Sequence, residues 1–280
     1  MLYIIAVVIA AVAALFSLTR QLHMLQQNSY YNTRYLSWAK ENFGFRSVFA
    51  ILMLVASCSL IKFDIFVLIL VSIASIFKVL HTFSFQKKAI KPLVFTTRVK
   101  RMYATAFVVL AALCACSIIF EKVRIPILIV VLVLFYFPGI TAIAVNIINA
   151  PAERAVKQWY INDAKKKLRS FKNMKIIGIT GSYGKTSTKH IIARILEEKY
   201  NVCFTPGSFN TPMGVVRTIR EYMKPQTEIF VCEMGAKNVG DIKEICKIVH
   251  PDTGIITSVG PQHLSTFKSI ENVIKTKFEL

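Results

Sequence analysis

The chain has 280 residues, of which 54% are hydrophobic, and 35 basic residues against 15 acidic ones give it a formal charge of +20; its mean hydropathy is +0.51. Such a chain is not intrinsically disordered, which requires low hydrophobicity, and it is too apolar to be a soluble domain throughout. The charge does not point to nucleic acid, because the basic residues form no face interleaved with aromatics and no nucleic-acid recognition module is present.

Residues 1–150 carry 14 Lys+Arg and 3 Asp+Glu, whereas residues 151–280 carry 21 and 12. This asymmetry divides the chain into a membrane domain over 1–150, an amphipathic juxtamembrane linker over 151–172 and a basic soluble domain over 173–280. A helix crossing the hydrocarbon core needs about 20 apolar residues, and five segments are candidates: 2–18, 48–61, 65–80, 104–120 and 125–148. The first lacks the basic flank that precedes a cleaved signal and is expected to remain as an anchor. The second and third are separated by Lys62, Phe63 and Asp64, which suits a tight helical hairpin.

Basic residues concentrate in alternate connections, with Arg20, Arg34, Lys40 and Arg46 in one and Lys87, Lys88, Lys91, Arg98, Lys100 and Arg101 in another. The excess of Lys and Arg on cytoplasmic loops then predicts an outside N-terminus and a cytoplasmic domain after residue 150. Lys78 is the one ionisable residue inside the spans, and its long side chain is expected to snorkel to the interface. Pro138-Gly139 is expected to kink the last span. The six cysteines have no zinc-ligand or CxxC spacing, which fits a reduced compartment.

Within the linker, Val156, Trp159, Tyr160, Ala164, Leu168 and Phe171 fall at helical spacing among Lys165, Lys166 and Arg169. The basic face either meets anionic lipid headgroups or is an ordinary solvated surface. From Lys175 onward, four β-branched runs (KIIGIT, NVCFT, EIFVCEM and TGIITSV) each precede a helical stretch. Repeated strand and helix units predict a parallel sheet with helices on its faces, and such sheets bind ligands at the carboxyl ends of their strands.

Between the first strand and helix lies GITGSYGKTS, residues 178–187. Gly181 and Gly184 let the backbone of Ser182 and Tyr183 curl around a phosphate. Lys185 is suited to reach outer phosphates and Thr186 to ligate Mg²⁺, and Ser182, Tyr183 and Ser187 complete the expected nucleotide-binding set. Ile179 stands where the strict phosphate-loop pattern has its first glycine.

This loop, together with the stretch from Thr205-Pro206-Gly207 to Asn210-Thr211-Pro212-Met213-Gly214, with Glu233-Met234-Gly235-Ala236, and with residues 255–260 leading to His263-Leu264, resembles the central ATP-binding domain of the Mur ligases. Order and spacing look most like the family member that adds D-alanyl-D-alanine to UDP-MurNAc-tripeptide. The likeness covers roughly residues 173–280. It implies a fold class of a multi-span α-helical membrane domain followed by an α/β P-loop domain, the latter an incomplete Mur ligase central domain. Membrane spans stand where the family has its uridine-nucleotide domain. The family's central domain also continues past the point corresponding to Leu280 and is followed by a closing domain, so the expectation is the front part of a ligase, incomplete for activity by itself.

The resemblance implies an ATP-dependent amide ligase of peptidoglycan precursor synthesis that works through an acyl phosphate. Its implied cofactors are ATP and Mg²⁺, and its partners UDP-MurNAc-peptide, D-Ala-D-Ala, membrane lipids and other cell-wall synthesis proteins, in a bacterial cell membrane and with no nucleic acid. Lys185 would hold the β and γ phosphates. Thr186 and Glu233 would ligate one metal, and His263 and a carbamylated Lys277 a second; Asn210 and Thr211 match the substrate-side loop. Read from the residues alone, Glu233 could cap a helix, His263 could be a loop histidine, and Lys277, near Lys275 and Glu279, could be solvated surface. The alternative to a ligase is an anchored nucleotide-binding module that recruits a partner.

Overall fold

Small residues set the spacing of the N-terminal helices. In α1 (Leu2–Gln27), Ala6, Ala10, Ala13 and Ala14 are buried, which allows close backbone approach between helices. The computed structural model describes residues 2–42, 44–59, 64–87, 92–262 and 264–280 and divides into two compact units, Met1–Glu153 and Arg154–Leu280.

The first unit continues through α2 (Asn32–Glu41), α3 (Phe45–Ser59), α4 (Asp64–Lys87), α5 (Thr97–Ile119), a 3-10 turn at Glu121–Val123, α6 (Arg124–Tyr136) and the start of α7 (Pro138–Arg169). The alanine face of α1 packs against Val67 and Val71 of α4 and against Val131, Leu132 and Phe135 of α6. Lower on α1, Leu18, Leu22 and Leu25 join Tyr35, Val99, Met102, Ala142 and Val145.

Three helices among the described residues are long and apolar enough to cross a membrane, at Leu2–Gln27, Ile65–Thr82 and Thr97–Ile119. The count becomes four if α6 and α7, bent by 98°, form one span. Of the five segments read from the sequence, the last is broken at the expected Pro138-Gly139 kink and the second is short. The run over 125–148 breaks at Phe137, because Pro138 has no N–H for the helical ladder and its ring clashes with the preceding turn. At 15 residues, α3 rises only about 22 Å, short of the roughly 30 Å hydrocarbon core. The turn residues Lys62 and Phe63 lie outside the described residues, as do Lys88 and Lys91.

Lys78 has protein partners at the end of α6. It donates to the Phe135 carbonyl, one of the acceptors that the end of α6 leaves without an intrahelical donor. Its ammonium lies over the rings of Phe135 and Tyr136, at 4.3 and 5.2 Å from their centroids. The lysine therefore serves the helix break that the proline creates.

The second unit begins inside α7, which runs without interruption from Pro138 to Arg169. Four strands follow, β1 (Lys175–Thr180), β2 (Val202–Phe204), β3 (Ile229–Glu233) and β4 (Thr253–Ile256). They form one sheet in the order β2-β3-β1-β4, and each neighbouring pair is parallel. The helices are α8 (Lys185–Glu197), α9 (Pro212–Glu221), α10 (Asp241–Val249), α11 (Leu264–Phe267) and α12 (Ile270–Lys277).

Alternation along the strands sends side chains to two cores. Ile177, Ile179, Ile229 and Val231 meet Ile192 and Leu196 of α8 on one face. On the other, Ile176, Phe230 and Cys232 join residues of α7, α9, α10 and α12. The apolar stripe of α7, Ile161, Ala164 and Leu168, belongs to this second core, so that face of the juxtamembrane segment is occupied by protein. Lys167 and Arg220 fasten the same helix to α9: Lys167 donates to the carbonyls of Arg220 and Met223 at 3.0 and 2.9 Å, and Arg220 donates to Asp163 at 2.6 Å.

Leu168→Ala is expected to destabilise the second unit by about 2 kcal/mol or more through lost burial and a residual cavity. Val156→Ala, at a position 37% exposed, should change it by less than about 0.5 kcal/mol. Denaturant unfolding followed by tryptophan fluorescence distinguishes the two.

Candidate functional site

The turn after β1 depends on two glycines. Gly181 has φ +151° and Gly184 +80°, the region that L side chains rarely adopt. A Cβ on Gly181 would also come within 2.0 Å of Thr257 Oγ1. The loop is pinned to the segment after β4: Ser182 N donates to Ser258 O at 2.8 Å, Ser182 Oγ to Gly260 O at 2.9 Å, Tyr183 N to Ser258 Oγ at 3.0 Å, and Thr257 Oγ1 to Tyr183 O at 2.6 Å. Thr186 and Ser187 are exposed at the start of α8, and Tyr183 is exposed in the loop. Lys185 curls back, donating to Gly181 O at 2.7 Å and Ser182 O at 3.2 Å. Burial draws its pKa down and the charge of Glu233 draws it up, with burial the larger influence.

Parallel pairing brings the acid to this loop. Glu233, the last residue of β3, lies in register with Ile179, one residue before β1 ends, and only 1% of it is exposed. Its Oε2 accepts from Thr186 Oγ1 at 3.1 Å and Lys189 Nζ at 3.0 Å, and its Oε1 accepts from Asn210 Nδ2 at 3.0 Å. Burial resists ionisation of this carboxyl, but hydrogen bonds from Asn210 and Lys189, the Lys189 charge and the Thr186 hydroxyl outweigh it and hold the pKa below the usual carboxylate range. The side chain is an ionised acceptor at the mouth of the loop.

Asn210 thus spends its amide on Glu233, while its carbonyl accepts from Gly235 N at 2.7 Å. Thr211 is the N-cap of α9, accepting from Gly214 N at 3.2 Å with Pro212 in the first turn. Lys277 is 1% exposed, which corrects its reading as solvated surface. Burial first, and the nearby charge of Lys185 second, push its pKa down to about 8. His263 lies outside the described residues. The reading of the sequence missed Lys189, a fully buried cation; its signal was its place four residues after Lys185, on the same face of α8.

No group of three or more His, Cys, Asp or Glu suited to a metal occurs among the described residues, so these residues build no all-protein cage. Glu233 with the Thr186 hydroxyl beside it is the sparse oxygen set that fits Mg²⁺, an ion usually held by one or two carboxylates together with substrate phosphates and water. All six cysteines are free thiols, and burial pushes that of Cys203 up to about 11.

A strand, a glycine-rich turn and a helix, with an acid at the end of the adjacent parallel strand, define the phosphate-loop class of α/β domain. Within that class, residues 179–280 match the model of the Mur ligase middle domain. The UDP-N-acetylmuramoyl-tripeptide--D-alanyl-D-alanine ligase of Bacillus subtilis is 38% identical over 106 residues, covering 38% of this chain and 23% of that protein. The ligase of the same name from Mycobacterium tuberculosis is 41% identical over 105 residues, covering 38% of this chain and 20% of that one. Among solved structures, the MurF ligase of Thermotoga maritima in complex with ADP is 38% identical, with a TM-score of 0.41, over 44% of this chain and 28% of that chain. The chain spans about a fifth to a quarter of the length of the curated relatives it matches. Residues 179–280 of the second unit are thus similar to the Mur ligase middle domain.

Gly181→Ala is expected to abolish nucleotide-phosphate binding and to destabilise the second unit by at least about 1–3 kcal/mol; equilibrium dialysis and thermal unfolding check it. The lowered pKa of Lys277 carries a sign. Between about pH 8 and the ordinary lysine value near 10.4, the unfolded chain binds more protons than the folded one, so stability gains a rising contribution. Below about pH 8 that contribution is absent. The rise should disappear in Lys277→Met, as read from unfolding midpoints across that range.

Proposed function

We propose that the second unit binds ATP with Mg²⁺, and that the chain acts in a membrane-anchored ATP-dependent amide ligase that adds D-Ala-D-Ala to UDP-MurNAc-tripeptide. The observation that carries this reading is the meeting of Lys185, Thr186 and Glu233 at the carboxyl ends of β1 and β3, in a segment matching the Mur ligase middle domain. The substrates are those in the names of its relatives.

The chemistry requires two anions to approach. A substrate carboxylate oxygen forms a bond to the γ-phosphorus as the bond to ADP breaks. The amine of the dipeptide then attacks the acyl carbon, and phosphate leaves. Mg²⁺ supplies charge neutralisation when bound, and Thr186 and Glu233 would hold it. Lys185 leaves its loop carbonyls for the outer phosphates and stabilises charge on the transferring group. Lys277, buried without a carboxylate partner among the described residues, supports a further assignment. Its lowered pKa supplies neutral amine, the form that adds CO₂, and a carbamate there would replace a cation beside the metal with an anion. His263 is assigned to the same second metal by its position in the motif.

The first unit is proposed as an anchor in a bacterial cell membrane, with an outside N-terminus and a cytoplasmic second unit. Keeping both basic connections cytoplasmic requires five crossings, in which α3, shorter than the hydrocarbon core is thick, would span a locally thinned bilayer and the bent α6–α7 pair would serve as one broken span. A lipid-contact role for the exposed basic face of α7 and an association with other cell-wall synthesis proteins belong to the same proposal.

The test is phosphate release by the complete ligase that contains this chain, in lipid vesicles with ATP, Mg²⁺, UDP-MurNAc-tripeptide and D-Ala-D-Ala. Release is expected to depend on both acceptors and to fall by about 100-fold or more in Lys185→Ala. ATP binding without acceptor-dependent release would favour an anchored nucleotide-binding module that recruits a partner. Failure to bind ATP would overturn both readings.

A further inference from the structure

Lys189 is fully buried on α8, and its ammonium makes two contacts that join different parts of the fold. It donates to Glu233 Oε2 at 3.0 Å and to the carbonyl of Gly207 at 2.8 Å. The second acceptor belongs to the connection between β2 and α9. The same connection reaches Glu233 from two other sides: Thr205 Oγ1 accepts from the Glu233 amide at 3.0 Å, and Asn210 donates to Oε1. Gly235 completes the tie by donating its amide to Asn210 O and by lacking a Cβ, which would lie 2.7 Å from the Asn210 side chain.

These contacts limit what Glu233 can still bind. Each carboxylate oxygen offers about two lone-pair sites. Thr186 and Lys189 occupy both on Oε2, and Asn210 takes one on Oε1. One site remains on Oε1, beside the Asn210 amide, and the Thr186 oxygen keeps its own lone pairs. A cation arriving on a nucleotide's phosphates therefore meets a carboxylate whose orientation is fixed by the loop and by Lys189 together.

We propose that Lys189 is a positioning residue that ties the 205–211 loop to the Glu233 carboxylate, so that ordering of this loop and capture of a nucleotide-borne divalent cation are one coupled event. The inference rests on reading the site as a Mg²⁺-nucleotide site. Coupling of this kind is reciprocal: what the cation gains from an ordered loop, the loop gains from the cation.

The experiment uses the full chain in detergent, with ADP and with Mn²⁺ in place of Mg²⁺. Mn²⁺ binding is followed by electron paramagnetic resonance, and exchange of the Gly235 and 208–211 amides by hydrogen–deuterium exchange. In the wild type, Mn²⁺ with ADP should slow exchange of these amides by about fivefold or more. Lys189→Met should speed their exchange in the free protein and weaken Mn²⁺ binding in the ADP complex by about tenfold, with metal-free ADP affinity held within about twofold. A purely structural role would lower ADP and Mn²⁺ affinity in parallel, and that result overturns the proposal, as does unchanged Mn²⁺ binding. If Lys189→Met does not fold, Glu233→Gln, with one acceptor oxygen in place of two, loses either the Asn210 bond or the Thr186 and Lys189 bonds and should both speed exchange of the loop amides and lose the slowing by Mn²⁺; retained slowing overturns the proposal. Wild-type protein that binds Mn²⁺ with ADP but shows no change in exchange also overturns it. Wild-type protein that binds no ADP overturns the underlying reading of the site as well.

Discussion

A carboxylate withdrawn from water must be matched by donors, and Glu233 is the place in the second unit where this requirement organises everything around it. Breaking a buried pair by removing one partner typically costs about 3–5 kcal/mol, because a charge is left uncompensated. The structure meets the requirement from three elements: the Thr186 hydroxyl and the Lys189 ammonium from α8, and the Asn210 amide from the β2–α9 connection. Parallel pairing of β3 with β1 makes this convergence possible by setting the acid next to the glycine-rich turn. Glycine-rich turn, β2–α9 connection and acid are consequently one hydrogen-bonded assembly.

The first unit solves a different problem. Its helices present apolar surface outward, and its internal contacts rely on small residues and on polar groups that satisfy one another. Asn146 donates to Asn32 Oδ1 at 2.7 Å and to Tyr30 O at 3.1 Å, and Arg98 donates to Asn146 at 3.0 Å. Arg101 meets Glu153 at 2.7 Å. Where Pro138 breaks the helical ladder, Lys78 supplies a donor to an exposed carbonyl end. The Lys78 charge thus has a local structural role.

Much of the α/β unit was legible in the sequence. The runs KIIGIT, EIFVCEM and TGIITSV are β-branched and bounded by turn residues, and strands occur there in a parallel sheet. The phosphate loop was legible because its glycines are demanded by backbone conformation, which leaves a mark at fixed positions. Lys189 was not, because KTSTKH reads as a polar helix start and burial of a lysine depends on an acid 44 residues away. Lys277 was misleading for the same reason: among Lys275 and Glu279 it resembles surface, and only tertiary packing encloses it. In the first unit, Pro138 gave the location of the break but not its 98° size.

The posture of Lys185 has a thermodynamic side. The ammonium already donates to two carbonyls, Gly181 O and Ser182 O. Binding at this loop is then an exchange reaction, in which hydrogen bonds to neutral oxygens are given up for bonds to charged ones. The net gain is the difference between the two sets, roughly the margin by which charge-assisted bonds exceed neutral ones. The affinity of the loop is thereby set as much by what its own backbone offers the lysine as by what any anion does.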